Sequence, residues 1–369
     1  MTDRRLAVSF LPGTAVLEMT YACNHQCLFC SCPWENPDGG FIRQAELTTD
    51  EWIETISTLC RMGVTRLAFT GGEPLLRPDL FEIIHHAATC TVEHIETVKG
   101  HLESHHGAPL LYLLSNGTAV NETTLLTCKE YNVQLSMSLP GLRTYAGHTG
   151  VDSADHVLRM FALAKSMGMT TVVNSTVTRI NLFELADTLS VALLAGAEQV
   201  LLNRFLPGGR GMLHADELSL DISQIQQMLD TAEATLEKAG RFGSVGTEIP
   251  KCIADISRYK RLQVGTRCSA AIQFFVVGPS GRVRVCNHSP VELNPVREIE
   301  GLRSNEYWNR FVFKKYMPSE CSDCRDFTAC DGGCREAAHI VSGSVCGMDP
   351  ALISIGPLGV MQNRPSSAS

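Results

Sequence analysis

From Val16 to Leu206 one unit recurs: a short apolar run, a turn, then an amphipathic helical stretch. The strand-like runs are Val16–Thr20, Arg66–Thr70, Leu110–Ser115, Val133–Leu139, Thr170–Val177 and Gln199–Leu206. Their apolar character is continuous rather than alternating, which suits parallel strands buried on both faces. Thr49-Asp50-Glu51 reads as a capped helix start and Met62-Gly63 as a glycine stop. Asn121–Tyr131, Ala154–Met167 and Asn181–Leu194 follow the same rule. Six alternating units with right-handed crossovers predict an α/β fold, a parallel sheet curled into a partial (β/α)6 TIM-like barrel. The second helix reads as extended through a His-rich polar segment, His85 to His106, as a solvated insertion.

After Pro207-Gly208-Gly209 the character changes. Leu218–Ala239 reads as one amphipathic linker helix ending at Gly240, and Gly246–Asp349 becomes short-stranded, turn-rich and cysteine-rich. Such a segment holds little apolar material and needs staples, which a metal supplies. The expected division is a barrel over 1–215, a linker helix and bridge over 216–250, a small α+β cysteine-rich domain over 251–350, and a disordered tail over 351–369. Clustering of the 15 cysteines in a large chain argues against a secreted disulfide scaffold and for metal in a reducing compartment. With 31 basic against 39 acidic residues and no basic run, a grip on nucleic-acid phosphate is not expected. Runs such as Leu110–Leu114 and Val200–Leu206 are too short to span a bilayer, and the N-terminus lacks a signal h-region. A cytoplasmic protein without a membrane segment is therefore expected.

Cys23, Cys27 and Cys30 sit directly after the first strand, and in α/β barrels active sites form at strand C-terminal ends. Three thiolates at these spacings can wrap three irons of a cubane 4Fe–4S cluster and leave the fourth iron open for substrate or cofactor. Zinc, with Cys32 as a fourth ligand, is the competing reading, although Cys30-x-Cys32 is cramped for a tetrahedral structural site.

Cys-x3-Cys-x-aromatic-Cys after strand one, with Phe29 as the aromatic, resembles the radical S-adenosylmethionine (SAM) superfamily. Gly71-Gly72-Glu73-Pro74, ending the second strand, looks like that family's GGEP motif, whose backbone and Glu bind the SAM amino group. Glycines allow close backbone approach, and a carboxylate pairs with an ammonium. Ser115-Asn116-Gly117 resembles the family's Thr-Asn-Gly turn. The resemblance places Ser138 and Asn174 at the SAM carboxylate or ribose, and the backbone near Leu202, with Asn203 beside it, at the adenine. Pro140 departs from relatives, which often have Asp before the Gly at this turn.

Cys268, Gly281-x4-Cys286, Cys321-x2-Cys324-x5-Cys330-x3-Cys334 and Cys346 resemble the SPASM (twitch-type) extension of radical SAM enzymes that mature peptides and proteins. The resemblance implies two auxiliary 4Fe–4S clusters, three in all with the SAM-binding one. It assigns Cys321, Cys324, Cys330 and Cys346 to the distal cluster, and Cys268, Cys286 and Cys334 to the one nearer the active site. Relatives often supply a further Cys about five residues after the first, where this chain has only Ala270–Phe275. Cys252 is the spare thiol: a near-cluster ligand, a hydrogen-atom donor in the active site, or a small core residue. A two-zinc module is the alternative for this segment, since zinc ribbons also use CxxC pairs. Cys60, Cys90 and Cys128 fall on helical stretches and are expected to pack; Cys32 has no assignment.

By this resemblance the reduced cluster cleaves SAM, and the resulting 5′-deoxyadenosyl radical takes a hydrogen atom from an unactivated carbon. The auxiliary clusters accept or relay the substrate electron, which suits a net oxidation or cross-link. A flavodoxin or ferredoxin would supply electrons. The expected substrate is a peptide or protein. Strand one begins near Ala15, so a leader-peptide-binding protein is expected as a separate partner, unless the barrel mouth and SPASM domain bind the peptide directly. Candidate substrate contacts are Leu142–His148, Asn203-Arg204 and Pro207–Arg210. Two other readings stay open: radical SAM chemistry on a small cofactor or tetrapyrrole precursor, and a non-catalytic zinc or iron–sulfur protein.

Overall fold

A computed structural model describes residues 10–37, 40–98 and 100–353. The six expected strands are present as β1 (Thr14–Glu18), β2 (Arg66–Thr70), β5 (Leu110–Ser115), β6 (Val133–Ser138), β7 (Thr171–Val177) and β8 (Gln199–Arg204), all pairing in parallel in the order β8-β7-β6-β5-β2-β1. Between β2 and β5 lies a separate antiparallel hairpin, β3 (Val92–Val98) and β4 (His101–Gly107). This corrects the expected helical extension: the helix ends at Thr89, and the His-rich segment pairs with itself across a turn at Gly100, whose φ is +84°. Most of β4 faces solvent, so the segment is indeed solvated.

The crossovers are helices with recognisable ends. Thr48 caps α1 (Thr49–Arg61) by accepting from Glu51 N–H while the Glu51 carboxylate takes Thr48 N–H, and Gly63 follows at φ +90°. Then come α2 (Leu80–Thr89), α3 (Glu122–Glu130, capped by Asn121), the short α4 (Tyr145–Thr149), α5 (Ala154–Ser166) and α6 (Leu185–Ala195). The expected linker helix, Leu218–Ala239, is present as α8 (Ile222–Ala239), starting four residues later and preceded by a separate short α7 (Ala215–Leu218). Asp221 makes the break, because its carboxylate accepts Gln224 N–H and so starts a new helix.

The middles of β2 and β6 are buried on both faces, as expected, with Leu67–Phe69 and Leu135–Met137 all buried, but β7 and β8 are not. Along β7 and β8, buried residues alternate with half-buried ones. The buried set, such as Leu113, Leu135, Val173 and Leu202, shares one apolar core with helix residues Ile56, Ile83, Phe161 and Leu189. The other set, including Asn174 and Asn203, faces a less filled side. Each fully buried aliphatic side chain contributes about 1.5–3 kcal/mol, so the helix-side face anchors the sheet and leaves its opposite face for chemistry.

The C-terminal segment joins the same sheet at both ends. Next to β8 lie β9 (Phe242–Val245) and β10 (Leu262–Val264), and next to β1 lie β11 (Phe274–Val277) and β12 (Val283–Arg284), the last antiparallel. From Val264 to Phe274 the chain must pass from one border of the sheet nearly to the other. A flat sheet puts these strands eight steps of about 4.8 Å apart, about 38 Å. Ten residues reach at most about 36 Å and must also run back along the strand direction. The sheet therefore curls, and its open side faces this connection. The Pro/Ser/Ala tail from residue 354 lies outside the described residues.

Candidate active site

The three-cysteine loop leaves β1 at the C-terminal end of the sheet, where β2, β5, β6, β7 and β8 also end. Its entry runs beside the turn after β2: Gly72 N–H donates to Thr20 O and Glu73 N–H to Ala22 O, both at 2.8 Å. A Cβ on Gly72 would stand 2.1 Å from Ala22 O, and Gly71 has φ +138° with its Cβ position 2.7 Å from Thr20 O. The glycine pair is thus required first by the chain's own close approach. Glu73 is fully buried, and its carboxylate accepts from Leu75 N–H (3.2 Å), Ser115 O–H (2.8 Å) and Asn116 N–H (2.7 Å). Burial pushes its pKa up, against the pull of those hydrogen bonds. Glu73 and Ser115 act as internal braces here, tying the end of β2 to the end of β5.

Other braces hold the loop itself. Asn116 donates its amide to Asn24 Oδ1 (2.6 Å). His25 Nε2 lies 2.7 Å from Thr118 Oγ1, and burial lowers the His25 pKa. The backbone of α4 takes Gln26 and Leu28 N–H through Thr149 O and His148 O, and the Phe29 ring packs edge-on against His148 (5.9 Å). From the far side, Gly211 N–H reaches Cys30 O (3.0 Å), and Arg210 donates to Cys27 O (3.3 Å) and pairs with Glu35. The stretch 207–210, expected at the substrate, thus clasps the cysteine loop. The stretch 142–148 is likewise pinned, with the buried Glu184 carboxylate accepting from the backbone N–H of Leu142, Arg143 and Thr144 and from the Thr144 hydroxyl (2.5 Å).

On the half-buried face, Ser138 lies in register with Asn174, and Asn203 donates its amide to Asn174 Oδ1 (3.0 Å). Leu202 does not join them: its side chain is buried in the core, and its carbonyl accepts Gly246 N–H (2.8 Å). Arg204 is also turned away from this face, buried and bonded to Asp349 (2.6 Å).

Residues 17–192 match the model of the Radical SAM superfamily. The chain carries a radical SAM domain over these residues. It is 27% identical over 360 residues to "PqqA peptide cyclase" of Rhodopseudomonas palustris, covering 94% of this chain and 88% of that protein. The namesake protein of Bradyrhizobium diazoefficiens is 26% identical over 374 residues, covering 96% and 90%. Among solved structures, Streptococcus suis SuiB bound to S-adenosylmethionine superposes with TM-score 0.67 at 13% identity, over 92% of this chain and 76% of that one. Native anSMEcpe with bound AdoMet gives 0.68 at 17%, over 92% and 93%. These likenesses establish a shared fold.

The superfamily implies SAM and a 4Fe–4S cluster, and the donor set of the first loop fits a cluster. Burial pushes the Cys27 thiol far up, and the neighbouring Cys30 and Cys23 sulfurs push it further, with Arg210 pulling the other way. Burial likewise pushes Cys23 up, whereas the hydrogen bond with Cys32 draws Cys30 down, and a cationic centre would favour the thiolate at all three. Among the described residues no group of three His, Cys, Asp or Glu side chains is drawn together as the ligands of a single metal ion. For SAM, half-buried Asn116, Ser138, Asn174 and Asn203 offer amide and hydroxyl groups, and the buried Nδ1 of His148 has no partner.

In the C-terminal segment Cys268, Cys286 and Cys334 are buried, and each thiol is pushed up by burial and then by the carboxylate of Glu248 or Glu336. Asp349 accepts Cys334 N–H (2.7 Å), so the Arg204–Asp349 pair ties Cys334 to the end of β8. A second buried pair, Glu18 with Arg284, links the end of β1 to the strand preceding Cys286. Cys346 is exposed. Cys252 is exposed too, so it is not a core residue, and it lies against Cys321, Cys324 and Cys330. Cys60 and Cys128 are buried and Cys90 half-buried. Cys32 points its sulfur toward Gly71 O (3.9 Å). A cavity of about 440 Å³ opens on the flank, between Glu46–Thr58 and the turn at Ser280–Arg282, and the cysteine loop does not line it.

Sequence reading missed His25, Thr118 and Glu184, and it named His148 and Arg210 as candidate substrate contacts, where the structure shows them bracing the cysteine loop. Only His25 carried a signal, its place inside the cysteine loop.

Proposed function

We propose that this enzyme modifies a peptide or protein substrate oxidatively, with Cys23, Cys27 and Cys30 holding the 4Fe–4S cluster and SAM lying over Asn116, Ser138, Asn174 and Asn203. The observation that carries the reading is the loop: three thiols at the strand ends, clasped on opposite sides by α4 and by Arg210–Gly211, beside a polar half-buried face. When bound, the cluster and SAM together supply a primary carbon radical able to remove a hydrogen atom from an unactivated carbon. The protein's own part is placement. The braces from Glu73, Asn116 and Arg210 fix the loop.

A peptide substrate is supported by the two relatives named for a peptide cyclase, each matched along more than 90% of this chain. SuiB bound to its precursor peptide SuiA and anSMEcpe with bound AdoMet and Cp18Cys peptide share its fold. We assign the barrel to residues 1–215 and the auxiliary module to 251–350, the latter with two further 4Fe–4S clusters. A flavodoxin or ferredoxin would deliver electrons in a reducing cytoplasm, and a discrete leader-binding protein would present the peptide. The test is anaerobic reconstitution, reduction, and chromatography for 5′-deoxyadenosine, followed by mass spectrometry of candidate peptides. SAM cleavage with loss of hydrogen mass from a peptide supports the proposal. Bound zinc with SAM left intact overturns it.

A further inference from the structure

Cys252 was the thiol without a settled place in the sequence. In the fold it lines a cavity of about 100 Å³ together with Cys321, Cys324 and Cys330. Two neighbours keep it there. Lys251 N–H points at Cys330 Sγ (3.3 Å), and the Lys251 ammonium pairs with Asp326 (2.5 Å), three residues from Asp323-Cys324 on the same loop. The segment carrying Cys252 is therefore stitched on both sides to the segment carrying Cys321, Cys324 and Cys330. Cys346, which the seven-cysteine pattern assigns to this set, does not line the cavity; its backbone N–H is turned to Ser344 Oγ (3.1 Å).

We propose that Cys252 is the fourth protein ligand of the distal iron–sulfur cluster, completing the set Cys321, Cys324 and Cys330 in place of Cys346. This rests on the reading of the C-terminal segment as an iron–sulfur module. Four thiols lining one cavity supply the four-cysteine set that a 4Fe–4S cluster takes. A lysine ammonium beside the cavity lowers the cost of gathering thiolates there. Cys252 is consequently removed from the near set, whose fourth position stays with another group, and from the reaction cavity.

The experiment uses the full chain, reconstituted anaerobically, with iron counts and low-temperature EPR of the reduced protein. Cys252→Ala is expected to lose up to about four irons or to convert one signal to a three-iron type, as Cys321→Ala does, and Cys346→Ala is expected to match the unsubstituted protein. If Cys321→Ala loses iron and Cys252→Ala does not, the ligand assignment is overturned and the module survives. If Cys321→Ala also keeps all its iron, the module reading fails and the assignment with it. A second measurement needs no variant: iodoacetamide labelling read by mass spectrometry. Cys252 should resist alkylation in the iron-loaded protein and react once a chelator strips it, whereas Cys346 reacts in both. Alkylation of Cys252 at full iron load overturns the proposal.

Discussion

Gly72→Ala probes the contact between the cysteine loop and the turn after β2. The added methyl would lie 2.1 Å from Ala22 O, 2.6 Å from Ala22 C and 2.9 Å from Tyr21 O. All three are backbone atoms, so no rotamer change relieves them. The two segments must part by about 1 Å, which stretches the 2.8 Å bonds Gly72 N–H to Thr20 O and Glu73 N–H to Ala22 O beyond hydrogen-bonding range. Two lost backbone bonds at about 0.5–1.5 kcal/mol each, with about 1–3 kcal/mol of overpacking strain, give a cost of about 2–6 kcal/mol. Urea unfolding of the iron-free chain, followed by tryptophan fluorescence, measures it. With a slope near about 3 kcal/mol per molar urea, a loss of about 3 kcal/mol moves the midpoint down by about 1 M. Gly147→Ala, inside α4 where a Cβ meets nothing within 4 Å, serves as the control and should change little. A Gly72→Ala midpoint equal to that of the control would show that the turn does not press on the cysteine loop.

Cys27→Ala should abolish 5′-deoxyadenosine formation on reduction; undiminished SAM cleavage would defeat the assignment of the first loop. Arg284→Met leaves the buried Glu18 carboxylate with Asn287 (3.2 Å) as its remaining partner and should destabilise by about 3–5 kcal/mol in the same unfolding assay. Glu184 supplies a pH test. Burial would raise its pKa, but hydrogen bonds from Thr144 and Arg143 outweigh this and hold it below the ordinary carboxylate value. Its stabilisation is therefore full above about pH 4.3 and is lost as the pH falls through the lower, folded-state value. Glu184→Gln should cost about 1–3 kcal/mol at neutral pH and flatten the acid limb of the stability profile; an unchanged acid limb would contradict the brace. Replacing residues 92–107 by a short linker should leave iron content and SAM cleavage intact, because that hairpin pairs only with itself among the described residues.

The barrel strands were readable because each is an apolar run bounded by turn residues; Arg66–Thr70 and Leu110–Ser115 fall where the pattern put them. The hairpin at 92–107 was not, since β4 is polar and mostly solvent-facing and carries no buried face to mark its period. The cysteines of the first loop were legible from spacing alone. What holds them was not, because Glu73 reaches Asn116 and Arg210 reaches Cys27 through backbone atoms, which leave no residue-type signature at separations of 43 and 183 positions. The same holds for Cys252, whose neighbour Lys251 donates its backbone N–H to Cys330 Sγ, 79 residues further on. Alternate burial along β7 and β8 was hidden too, because the face opposite the helices carries apolar residues such as Val172 and Leu201 beside its asparagines.

The pairing of Thr14 with Phe274 sets an order of events during synthesis. The strand that launches the cysteine loop waits for its outer neighbour until 260 more residues have left the ribosome, roughly 13–50 s at about 5–20 residues per second. Throughout that interval one border of the nascent sheet is bare and the thiols behind it stand uncovered, so chaperones and cluster-delivery proteins meet this chain as an unfinished cup. Iron acquired too early would have to survive the late threading of β11 into place.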